Sequence, residues 1–107
     1  MPLTRDFKQT VQARVQRDPT FRKALLIEGI EALLSGDVET GKAVLRDCIN
    51  ATVGFSKVAD AVNRSPKSLM RMLGPSGNPQ AQNLFEIIAF LQREEGVQLK
   101  IKLAKAS

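Results

Sequence analysis

Lys67 and Arg71 stand four residues apart in SPKSLMRML, so a helix over this stretch puts both cations on one face. Ser68 lies between them. Arg and Lys suit the paired acceptors on the guanine edge in the major groove of DNA, and a Ser hydroxyl can contact a base or a phosphate. Pro66 opens the same stretch. It offers no hydrogen-bond donor but can pack on a thymine methyl group. Around these four lie groups suited to phosphate oxygens: Ser56 and Lys57 upstream, Arg64 just before, and Ser76 and Asn78 downstream. The competing readings are a solvated helix face for Lys67 and Arg71, and plain turn chemistry for Ser76 and Asn78.

Other chemistries lack their residues. The chain has no His, which removes the commonest general base and the commonest metal ligand. One Cys and no His leave no zinc constellation, and no cofactor motif stands out. The carboxylate pairs Glu28 with Glu31 and Glu94 with Glu95 lie among charged residues and read as solvated helix faces rather than acid/base dyads. An enzyme is not expected. Cys48 falls on an apolar stripe and reads as a small buried hydrophobe, which fits a reducing cytoplasm. The Gly-Lys of DVETGKAVL lacks the spacing of a phosphate loop and reads as helix surface.

The elements that must position these groups are legible. Phe55, Val58, Ala59 and Val62 recur at 0, 3, 4, 7, one apolar stripe of a helix. Leu69, Met72 and Leu73 form a second stripe. Asn63 between them tolerates the left-handed backbone of a sharp turn. Ser65 then caps the second helix and Pro66 suits its first turn. FSKVADAVNRSPKSLMRMLG, residues 55–74, thus reads as a helix-turn-helix, with Lys67, Ser68 and Arg71 on its outer face and Met70 and Met72 as core filler. Charge agrees with this placement. The chain carries +5 in all, and Lys57, Arg64, Lys67 and Arg71 against Asp60 give residues 55–78 a net +3.

The rest of the chain is helical in pattern, as one domain of 107 residues. Thr4 can cap a helix to about Arg17 with Leu3, Phe7, Val11 and Val15 as its stripe. Asp18-Pro19 starts a second helix to Leu34, with Leu26, Ile30, Leu33 and Leu34 inward. Asp37 caps a third, whose inner face is Val38, Gly41, Val44, Leu45, Cys48, Ile49 and Thr52. After the loop 74–79, a helix from about Gln80 to Glu95 sets Leu84, Ile87, Ile88 and Leu91 inward. Val97, Leu99, Ile101 and Leu103 then alternate with polar or small residues, a period-2 pattern that predicts a strand and, for want of a second strand, a homodimer interface. A frayed tail is the alternative. No apolar run approaches the roughly 18 residues of a membrane span, and MPLTRDFK lacks the apolar core of a secretory signal.

FSKVA and the stretch from Ser65 to Met72 resemble the helix-turn-helix of the phage-repressor-like (Cro and Xre) family. A closer match runs roughly from Leu3 to Val97. TRDFKQTVQAR, FRKALLIEGIEALLSGDVETGKAVLRDCINATVGF and SPKSLMRMLGPSGNPQAQNLFEII are similar to bacterial addiction-module antidote proteins, antitoxins related to the HigA group. The resemblance implies an all-α, lambda-repressor-like domain over residues 37–95, extra N-terminal helices over 1–36, and a C-terminal strand or tail over 96–107. It further implies a dimeric, cytoplasmic repressor of its own operon, bound to double-stranded DNA and partnered by a RelE-like (HigB-type) toxin. Such toxins are usually basic, so contact would fall on the acidic patches around Glu28, Glu31, Asp37 and Glu39 or on apolar surface; the alternative is that the N-terminal helices only complete the core. A phage-type repressor without a toxin and a protein-interaction adaptor are the rival readings.

Overall fold

The computed structural model describes residues 17–106, and these are all-α. Five helices follow one another: α1 (Pro19–Leu34), α2 (Val38–Ala51), α3 (Phe55–Val62), α4 (Pro66–Met72) and α5 (Ala81–Glu95). The helix expected over residues 4–17 lies outside the described residues except at Arg17.

The helix boundaries follow from local chemistry. The Asp18 carboxylate accepts from the backbone N–H of Thr20 and of Phe21, at 3.0 and 3.2 Å, and Pro19 takes the first helical position. Asp37 accepts from Thr40 N–H at 3.3 Å to cap α2. The left-handed residue Gly96 closes α5, with φ +65°. α1 and α2 make the most extensive helix–helix contact. Gly41 permits it: a Cβ there would stand 2.6 Å from the side chain of Leu33 on α1.

One core joins the helices. Leu26 of α1, Leu45 and Ile49 of α2, Val58 and Ala59 of α3, Leu69 of α4 and Ile87 of α5 are sealed from solvent within it. The expected stripes therefore hold in their centres. They fail at their ends. Leu34 and Val38, expected inward, are 67% and 44% exposed, because the α1–α2 turn carries them past the edge of the core. Met70, expected as core filler, is 49% exposed, while Met72 packs against the core.

The C-terminal strand is not formed: among the described residues there is no strand. The start of the tail is instead tied to its own helix. Val97 N–H donates to the Gln92 carbonyl at 3.0 Å, and Leu99 N–H donates to Gln92 Oε1 at 2.8 Å. Leu99 packs against the core, whereas Ile101 and Leu103 stand 86% and 96% exposed. A strand requires a ladder partner, and one copy of the chain supplies none. No described helix is long and apolar enough to cross a membrane.

Candidate nucleic-acid interface

α3 and α4 are joined by a turn of three residues. Asn63 takes the left-handed conformation, φ 59° and ψ 48°, and Arg64 N–H donates back to the Ala59 carbonyl at 2.9 Å. Ser65 is extended, and its hydroxyl accepts from Ser68 N–H at 3.1 Å, which caps α4. Pro66 occupies the first helical position. Each feature follows from residue type: Asn for positive φ, Ser for the cap, Pro for the fixed φ. Leu69 and Leu73 are fully buried, so α4 is pinned along one side only.

Its other side is open. Lys67 and Arg71 are exposed, and Pro66 and Ser68 are half-buried. Arg64, Ser68, Arg71, Ser76, Asn78 and Asn83 line one open concavity of about 420 Å³ between α4, the loop after it and the start of α5. Five of the nine residues expected at DNA thus meet in one place. Lys67 and Pro66 lie on α4 outside that concavity, and Ser56 and Lys57 lie on the first turn of α3. Gly54 leaves α3 without a side-chain cap, so its first amides carry no competing side-chain acceptor.

Two of the expected phosphate ligands already hold partners. Lys57 Nζ is 2.6 Å from a Glu94 carboxylate oxygen of α5, though the lysine side chain remains 59% exposed. Arg64 donates to Asn83 Oδ1 at 2.9 Å. Glu94 and Glu95, expected on a solvated face, therefore act as cross-helix acceptors, since Glu95 binds Arg22 at 2.7 Å.

The sequence reading missed what holds the loop. Lys42, expected on the helix surface, is 1% exposed. Its Nζ donates to the carbonyls of Gly74 and Gly77, at 3.0 and 2.7 Å, and lies 2.8 Å from Glu39. Arg46 donates to the Leu73 carbonyl at 3.1 Å. Two cations of α2 thus bind carbonyls of the α4 C-cap residue Leu73 and of the loop after it, close to the helix end where the dipole also favours positive charge. Gly77 passes so close to the carbonyls of Arg71 and Met72 that a Cβ there would overlap them. The signal was present: Lys42 precedes Leu45 by three residues and Ile49 by seven, on the buried stripe.

Cys48 is buried, as expected, and its thiol is pushed up to about 11, chiefly by burial and then by the charge of Glu95. Among the described residues no group of acidic, Cys or His side chains is placed to hold a metal. Comparison with known proteins finds no matching family model, no matching curated protein and no matching solved structure.

Proposed function

We propose that this chain is a sequence-specific DNA-binding transcriptional regulator in which α3 and α4 act as a helix-turn-helix and α4 enters the major groove. The observation that carries the reading is the exposed side of α4. It presents Lys67 beside a concavity that gathers Arg64, Ser68, Arg71, Ser76 and Asn78. Arg71 and Lys67 read base acceptors, Pro66 and Ser68 lie against base edges, and the α3 amides with Ser56 and Lys57 grip a phosphate. Ser76 and Asn78 grip the backbone on the far side of α4. A two-fold dimer sets two such helices about one DNA turn, ~34 Å, apart.

The test compares two variants. Arg71→Ala costs about 1–3 kcal/mol on the specific site and relaxes preference at one base pair. Lys57→Ala weakens binding to all sequences and flattens the salt dependence. Operator binding unchanged for both variants in a salt titration removes this site. The resemblance to antidote proteins carries the reading one step further, to an antitoxin that represses its own operon alongside a RelE-like toxin. Copurification with the product of the adjacent gene, together with rescue of growth from it, tests that step.

A further inference from the structure

An apolar groove of about 310 Å³ lies between the end of α1, the start of α2 and the first two turns of α5. Leu34, Val38 and Phe85 line it while 67%, 44% and 64% exposed, and Leu33, Leu84 and Ile88 lie deeper. Large apolar side chains gathered at the surface and edged by charge mark a docking surface. The ionic side chains that flank the α1–α2 turn in sequence are acidic, and Glu31 and Asp37 are the two next to groove residues. Residues 28–39 carry Glu28, Glu31, Asp37 and Glu39 and no Lys or Arg. Glu28, Glu31 and Asp37 are exposed, and Glu39 is engaged by Lys42. Glu31 stands three residues before Leu34 on α1, and Asp37 directly precedes Val38.

A complementary element exists in the chain itself. Residues 97–107 carry Lys100, Lys102 and Lys105 and no acidic side chain. In an extended segment Ile101 and Leu103 share one side and Lys100 and Lys102 share the other. Those two apolar residues are the most exposed large hydrophobic side chains among the described residues. The root of the segment is fixed, because Gln92 binds Leu99 N–H at 2.8 Å and Leu99 packs on the core. The chain's own Ile101 and Leu103 remain in solvent and leave the groove open.

We infer that the groove receives the Lys100–Lys105 segment of a second copy of this chain, with Ile101 and Leu103 inserted and the lysines turned to the acidic edge. Apolar fit and opposite charge act together. Exchange of tails about a two-fold axis fills both grooves with one kind of contact, the closure that an isologous dimer requires. The arrangement stands on tail and groove alone and holds whether or not the chain binds DNA.

Cross-linking of the full-length protein decides it. One preparation carries Leu103→Cys and another Phe85→Cys, both at exposed positions, so both variants keep the core. Buried Cys48 stays silent. Mild oxidation of the mixture gives a disulfide-linked pair containing one chain of each kind, at a yield severalfold above either preparation alone. In sedimentation, Ile101→Asp with Leu103→Asp, and separately Leu34→Asp, each lower the association constant about tenfold or more, since a carboxylate would be buried in an apolar site. A monomeric parent overturns the inference. So does a dimer untouched by both sets of substitutions. Linkage in the Phe85→Cys preparation alone, which means α5 facing α5, overturns it too. An intrachain bond formed when both cysteines sit in one chain, without linked pairs from the mixture, places the tail in its own groove and equally rejects the exchange.

Discussion

Lys42 reaches none of the groups expected at DNA, yet it fixes the loop that carries two of them. Its ammonium is held by two carbonyls and one carboxylate, and the lysine itself is buried although Glu39 remains largely exposed. Lys42→Met leaves the Gly74 and Gly77 carbonyls without that donor, at a cost of about 1–3 kcal/mol. The change lowers the denaturation midpoint in urea. On the DNA-binding reading it also lowers operator affinity while the slope of log K against log salt stays at the parent value, because a buried cation releases no phosphate counterion. A changed slope would place Lys42 at the phosphate instead. Cys48 gives a second expectation. Its ordinary value is 9.0 and its folded value is about 11, so the unfolded thiol ionises first as pH rises. The unfolded state then binds fewer protons, and Cys48 withdraws stability between pH 9 and about 11, on the order of 2 kcal/mol in all. Stability curves of the parent and of Cys48→Ala should converge over that window. Parallel curves would show the thiol to be free of its burial. Single residues were the least legible scale in the sequence. Lys42 reads as surface by type, and only its register with Leu45 and Ile49 betrays its burial.

Elements were legible where the chain announces its own punctuation. Asp18-Pro19, Asp37, Ser65-Pro66 and Gly96 mark helix ends by side-chain capping or positive φ, and the observed ends follow them. The tail was not legible, because alternation describes a strand only if a partner strand exists, and partnership is not written in the pattern. Gln92 competes for the tail amides instead. The α3–α4 turn gives a direct test of backbone chemistry. Asn63→Gly keeps the left-handed conformation and should leave stability within about 1 kcal/mol of the parent. Asn63→Val forces a β-branched residue to φ 59° and should cost about 1–2 kcal/mol or more. Thermal or urea denaturation reads both. Equal stability of the valine variant would mean that the turn relaxes out of the left-handed region. Gly77→Ala acts through space rather than torsion, since its new methyl group would overlap the carbonyls at the end of α4. It should loosen the loop and raise amide exchange at Gly74 and Gly77 without unfolding α1 and α2.

At the scale of the molecule, the five helices form one core and leave two different surfaces. The open side of α4 and its loop is polar and basic, while the α1–α2–α5 groove is apolar with acidic neighbours. The division matches the charge distribution read from the sequence, where residues 55–78 hold +3 of the +5. The groove itself was not foreseen, because Leu34 and Val38 satisfy helical periodicity whether or not anything covers them. Cations concentrated on one surface steer a polyanion toward it and make the association depend on salt. The most direct measurement of the central claim is a titration of a labelled fragment of the protein's own promoter with the full-length chain, followed by fluorescence anisotropy. It is run across a salt series with and without unrelated competitor DNA. The expected result is saturable binding that survives excess competitor, weakens linearly in log K against log salt, and drops at the specific site alone for Arg71→Ala. Binding that competitor abolishes in proportion to its concentration, or no binding at low salt, would contradict it.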